Sequence, residues 1–252
     1  MIALAGDLAA ALDPVVFAEQ TGLVPDGWQA DVLRSRAARL LLNCSRQVGK
    51  STTTAVLALH TALYDAPALV LLLSPSLRQS QELFAKVGTA YRRLGRPVPA
   101  EAENKLSLEL DNGSRILALP GKEGTIRGYS GVRLLVLDEA SRIADALYHA
   151  CRPMLAVSGG RLLMLSTPFG KRGCFFQEWT EGAGWERVEL RADQCPRIPP
   201  EFLAAERAGL PAWIYRQEYE CSFEETLDQV FSYEHVHAAL SVDVAPLFPV
   251  QP

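Results

Sequence analysis

Two hydrophobic periods run along this chain, and the switches between them mark its elements. Four short runs, at 39–43, 69–73, 133–137 and 161–165, are apolar at every interior position, and 187–190 is a candidate fifth. Runs of this length are too short for helices and predict strands buried on both faces. Between them, residues 29–39, 51–64 and 78–94 carry helical spacing. Residues 2–20 read as a short amphipathic helix followed by a turn at Asp13-Pro14. Residues 106–119 alternate around Asp111-Asn112-Gly113, which predicts a hairpin. Strands alternating with helices predict an α/β fold, with a mostly parallel sheet flanked by helices. Residues 231–252 are loosely patterned and Pro-rich, and read as a linker after a first domain at 1–230.

Composition narrows the class. With 48% hydrophobic and 21% charged residues in 252, the chain is neither disordered, collagenous nor a coiled coil. Its longest unbroken apolar run, 68–73, is far shorter than a membrane span, so no membrane partner is expected. No Lys or Arg precedes the apolar N-terminal stretch, so a signal peptide is not expected. The five cysteines are scattered without a CxxC spacing, which fits free thiols in a reducing, cytoplasmic compartment. The net charge of −4 argues against a surface that grips DNA everywhere. Contact with a duplex would need a local patch or several subunits pooling basic positions, for which Arg78, Arg92, Arg93, Arg96, Lys171 and Arg172 are candidates.

The first chemical motif is Cys44-Ser45-Arg46-Gln47-Val48-Gly49-Lys50-Ser51, followed by Thr52. It lies between a predicted strand and a predicted helix, the setting a phosphate-binding loop requires. In such a loop the backbone N–H groups of Ser45 through Thr52 turn inward around the phosphates, and the helix N-terminus adds positive potential. Gly49 permits close approach, Lys50 reaches the β- and γ-phosphates, and the Ser51 hydroxyl helps hold Mg²⁺. Arg46, inside the loop, is placed to touch the γ-phosphate. Cys44 stands where the general pattern has its first glycine.

The second motif is Leu134-Leu135-Val136-Leu137-Asp138-Glu139. A buried strand ends in two carboxylates at the edge where open α/β sheets bind ligands. Asp138 is expected to bind Mg²⁺, and Glu139 to polarise an attacking water. Taken alone, the pair also suits a solvated turn; with a phosphate loop upstream, the catalytic reading is preferred. Three weaker signals accompany it. Thr167, in Leu165-Ser166-Thr167-Pro168, can place a hydroxyl near a γ-phosphate or simply end a strand. Gln29, in Trp28-Gln29, can read an adenine edge or simply open a helix. Arg127, in Thr125-Ile126-Arg127-Gly128, suits an arginine finger or a solvated loop charge.

Together these motifs resemble the large terminase subunit of tailed phages, the ATP-driven motor that packages DNA into a procapsid. The resemblance also takes in Ser74-Pro75-Ser76-Leu77-Arg78-Gln79-Ser80 and Gln217-Glu218-Tyr219-Glu220-Cys221-Ser222-Phe223, and covers about residues 10–245. It implies a P-loop NTPase core of the ASCE, RecA- and terminase-like kind, with a small lid subdomain formed by about 1–38 and 195–230. It implies ATP and Mg²⁺ as cofactors, Arg46 acting in cis and Arg127 in trans around a homo-oligomeric ring. Double-stranded DNA, a portal protein and a small terminase subunit are the implied partners, met in the bacterial host cytoplasm. Family members continue into a nuclease domain; this sequence reaches Pro252, about where that domain would begin, so nuclease activity is not expected from it. A helicase-like ATPase and a non-catalytic remnant that binds nucleotide or portal are the rival readings.

Overall fold

The computed structural model describes residues 2–121, 126, 128–225, 235 and 238–239. Its centre is one eight-stranded sheet: β1 Arg39–Cys44, β2 Leu69–Ser74, β3 Ala100–Glu103, β4 Ser107–Leu110, β5 Arg115–Pro120, β6 Val132–Asp138, β7 Arg161–Ser166 and β8 Glu186–Leu190. The spatial order is β3-β4-β5-β2-β6-β7-β1-β8. β5, β2, β6, β7, β1 and β8 run parallel, and β4 is antiparallel to both its neighbours. All five strands expected from the apolar runs are present, and the expected hairpin joins β4 to β5.

The central strands alternate their leucines between two cores. Leu40, Leu42, Val70, Leu72, Leu134, Val136, Leu163 and Leu165 face one side. There they meet helix α4, Lys50–Tyr64, and helix α5, Leu77–Arg93, through Leu59, Leu83 and Val87. Leu41, Leu71, Leu73, Leu135, Leu137 and Met164 face the other side, against Leu147 of α6, Asp145–Cys151, and Phe175 of α7, Gly173–Thr180. Burial of a leucine on this scale contributes roughly 1.5–3 kcal/mol, which is why the runs need no polar alternation.

Three expectations are corrected in detail. The single helix expected before the Asp13-Pro14 turn is followed directly by a second: α1 is Ile2–Leu12 and α2 is Pro14–Gln20. Asp13 caps α2 by accepting from Val15 N at 3.0 Å, and Pro14 takes the first helical position, where its missing N–H costs nothing. The helix expected at 29–39 is α3, Gly27–Arg34, ending before β1. Strand β3, Ala-Glu-Ala-Glu, falls outside the expected pattern, because its polar sequence is carried only by pairing at the sheet edge. The remaining helices, α8 at Pro200–Gly209 and α9 at Ala212–Tyr219, follow β8. Among the described residues no helix is long and apolar enough to cross a membrane.

Candidate functional site

The C-terminal ends of β1, β7 and β6 lie side by side, with Asn43 opposite Ser166 and Asp138 opposite Leu165. The phosphate-loop strand and the acidic strand are therefore separated by one strand, β7, whose tip carries Thr167. After β1 the chain turns through Gln47 (φ 63°) and Gly49 (φ 95°), then enters α4 at Lys50. Glycine suits the second position twice over: its φ is left-handed, and a Cβ there would come within 2.9 Å of Gln29 Nε2. Cys44 is wholly buried, and burial pushes its thiol up to about 12, so it fills the core as a small hydrophobe.

A cavity of about 660 Å³ opens at these strand ends. Arg46, Gln47, Gly49, Lys50, Ser51 and Thr52 line one wall, and Asp138 and Glu139 line another. Lys50 joins the two. Its Nζ lies 3.4 Å from Glu139 Oε1 and donates to Thr167 Oγ1 at 3.2 Å. Glu139 holds a left-handed backbone (φ 51°, ψ 45°), costly for a side-chain-bearing residue and of a kind that gathers at functional sites. The tips of β6 and β7 are tied by Ser141, whose N donates to Ser166 Oγ at 3.2 Å and whose Oγ donates to Thr167 O at 2.9 Å.

Asp138 is buried, and its Oδ1 has no hydrogen-bond partner in the protein. Burial first, then the charge of Glu139, push its carboxyl up to about 6; Lys50 and Lys86 pull the other way. A cation beside that oxygen would compensate both penalties. No cluster of three metal-ligating side chains occurs among the described residues. The donors present, one carboxylate and the Ser51 hydroxyl, fit a hard divalent ion that completes its shell with water and phosphate oxygens.

The other expected residues are placed around this cavity with different roles. Ser45 and Val48 are buried in the loop, with Ser45 N bonded to Leu190 O at 2.9 Å. Arg46 pairs with Glu218 of α9, NH2 lying 3.3 Å from Oε1, while its backbone N donates to Glu218 O. Gln29 lies behind the loop rather than in the cavity wall. Its Nε2 donates to Thr53 Oγ1 at 2.8 Å and its Oε1 accepts from Asp26 N at 2.9 Å, so both amide ends are engaged. Arg127 lies outside the described residues, as does the expected linker apart from 235, 238 and 239.

Five further residues belong to the site. Gln79, Glu82 and Lys86 of α5 and Arg142 after the acidic pair complete the cavity wall. Gln79 falls in a segment already noted for its resemblance, whereas Lys86 carries no local signal. Arg142 stacks its guanidinium 3.9 Å from the Phe169 ring centroid. Arg197 braces the loop from below: NH2 donates to Val48 O at 2.7 Å and NH1 pairs with Asp26 at 2.6 Å.

Comparison with known proteins agrees with this geometry. The family model for the terminase large subunit, T4likevirus-type, N-terminal, matches residues 41–237. The large terminase subunit of Thermus virus P23-45 is 26% identical over 223 residues, an alignment covering 81% of this chain and 46% of that protein. The chain thus spans about half the length of the curated relatives it matches. A mutant of the Thermus phage P74-26 large terminase ATPase domain superposes with a TM-score of 0.74 at 22% identity, covering 82% of this chain and 98% of that one. The large terminase of a thermophilic bacteriophage, solved in complex with ADP, has a TM-score of 0.64 at 11% identity over 79% of this chain and 54% of that one. These structures share the mostly parallel, helix-flanked P-loop fold. The chain belongs to the family of phage terminase large subunits, matching their N-terminal region.

Proposed function

We propose that this chain is the ATP-hydrolysing domain of a packaging motor, taking Mg²⁺-ATP into the cavity between Lys50 and Glu139. The observation that carries the reading is that Lys50, Ser51, Asp138 and Glu139 line one cavity although Asp138 lies 87 positions after Ser51. The thermophilic phage terminase solved with ADP supports nucleotide as the class of ligand.

The loop amides and Lys50 hold the phosphates, and Lys50 neutralises charge that builds on the transferred group. Glu139 orients and polarises the attacking water. Asp138 and Ser51 are the protein groups that would hold Mg²⁺, which supplies charge neutralisation at the phosphate oxygens when bound. Thr167, already bonded to Lys50, fixes the ammonium at the γ-phosphate end. Gln29 supports the loop through Thr53; contact with a base would need its amide to leave Thr53 or Asp26.

The finer reading extends from the family. The motor pushes double-stranded DNA into a procapsid in the host cytoplasm, assembled as a ring with portal protein and small subunit. Arg46 acts in cis once freed from Glu218, Arg127 acts in trans, and a lid is drawn from about 1–38 and 195–230. Phosphate release from Mg²⁺-ATP, measured with and without duplex DNA, tests it. DNA-stimulated release is expected; no release under either condition would leave a nucleotide-binding remnant.

A further inference from the structure

The parallel strands have a second edge, and it holds a second cavity of about 330 Å³. Arg36 precedes β1, Arg133 is the second residue of β6 and Arg161 opens β7, so all three lie at the N-terminal strand ends. They line the cavity together with His60, Tyr64 and Asp65 from the end of α4. Six-residue strands put this edge about 20 Å from the phosphate loop.

Among the residues that line this cavity, guanidiniums outnumber carboxylates. Arg133 Nε lies 3.6 Å from Asp65 Oδ2, and its NH1 is 3.4 Å from Ser158 O. Arg161 Nε donates to Ala37 O at 3.0 Å. Arg36 is exposed and forms no ion pair with a described residue. Arg161 is held below the usual guanidinium range, by burial and then by the like charge of Arg36, against the smaller opposite pulls of Glu186 and Asp65. Glu186 is exposed and accepts from Ser35 Oγ at 3.0 Å. His60 adds no charge at neutral pH, because burial lowers its pKa. The C-terminus of α4 contributes about half a negative charge. Asp65 is the one carboxylate among the residues that line the cavity, while Asp7, which accepts from Tyr64 OH at 2.8 Å, and Glu186 lie beside it.

Contacts within the protein engage two donor groups of Arg133 and one of Arg161, and no ion pair with a described residue holds Arg36. Each guanidinium carries five donors in a planar fork that matches phosphate oxygens. Three guanidinium forks line the cavity against one carboxylate, and their unused N–H groups suit the several oxygens of a phosphate better than a single carboxylate. We propose that Arg36, Arg133 and Arg161 form a second phosphate-binding site, at the sheet edge opposite the phosphate loop. The phosphate is either free in solution or the 5′ end of a nucleic acid.

The test silences the loop with Lys50→Ala and titrates the full chain calorimetrically with pyrophosphate, with 5′-phosphorylated duplex and with hydroxyl-ended duplex. Arg36→Gln/Arg133→Gln, at two exposed positions, is added in the same background, with circular dichroism confirming its fold. Saturable binding of pyrophosphate, weakened about tenfold or more by the double substitution, is expected, since the two guanidiniums removed would take charge-assisted hydrogen bonds from the anion. Binding of the phosphorylated duplex alone, lost in the double variant, assigns the site to nucleic-acid ends. No binding of any probe to the Lys50→Ala chain, or binding untouched by the double substitution, overturns the proposal.

Discussion

Lys50 and Glu139 hold each other across the tip of β7, with Nζ 3.4 Å from Oε1. The cation that would bind phosphate and the carboxylate that would activate water are thus partners in one contact. On the proposed reading, a triphosphate reaching Lys50 would draw the ammonium from Glu139 and so couple substrate arrival to release of the base. Both groups are largely shielded, their side chains 9% and 25% exposed, so the pair is screened less than a surface salt bridge.

Asp138→Asn is expected to stabilise the protein in the absence of divalent ions while abolishing Mg²⁺-dependent turnover. The folded carboxyl titrates at about 6, raised from an ordinary value of 3.8. Above pH 6 it is charged in an unfavourable site, a penalty of order 3 kcal/mol that the amide removes. The gain over the parent should be full at pH 7–8, shrink as pH falls below about 6, and vanish near 4. Denaturant midpoints of both proteins across that range check this.

Arg197→Ala should weaken ATP binding more than it slows the chemistry. Arg197 touches Val48 O and Asp26, not the cavity itself, so its loss loosens the loop rather than removing a reacting group. A rise in KM of about three- to tenfold with kcat within twofold is expected, in line with about 1 kcal/mol for one such tie. Steady-state kinetics separates the two.

Gln29→Ala should lower the thermal midpoint by several degrees. Both ends of its buried amide are used, and its loss removes the donor to Thr53 Oγ1, which keeps its bond to Gly49 O, and the acceptor of Asp26 N at the start of α3, at about 1–2 kcal/mol. Calorimetric melting checks the midpoint, and the ATP-to-GTP preference of the same variant reports any reading of the base.

Much of this was legible in the chain because the informative features are local. Leu134 through Glu139 spells a strand buried on both faces and its polar tip, and Gly49-Lys50-Ser51 spells a turn into a helix. Lys86, Arg197 and Glu218 were not legible as site residues, since only packing of α5, the segment after β8 and α9 brings them to the loop, and Arg142, three residues after Glu139, carried no motif of its own. Gln29 read as an adenine contact or a helix opener, whereas its engagement depends on Thr53, 24 residues away. Short helices such as Asp145–Cys151 went unread because seven residues give little periodicity; burial of Leu147 and Tyr148 against the sheet holds them.

Single-turnover hydrolysis beside equilibrium binding of Mg²⁺-ATP, on the parent, Lys50→Ala and Glu139→Gln, tests the shared cavity most directly. Glu139→Gln should bind nucleotide as the parent does and lose about 10²–10⁴-fold in hydrolysis, while Lys50→Ala should fail to bind. Parent-like binding and hydrolysis in both variants would contradict a triphosphate lying between the loop and the acidic strand tip.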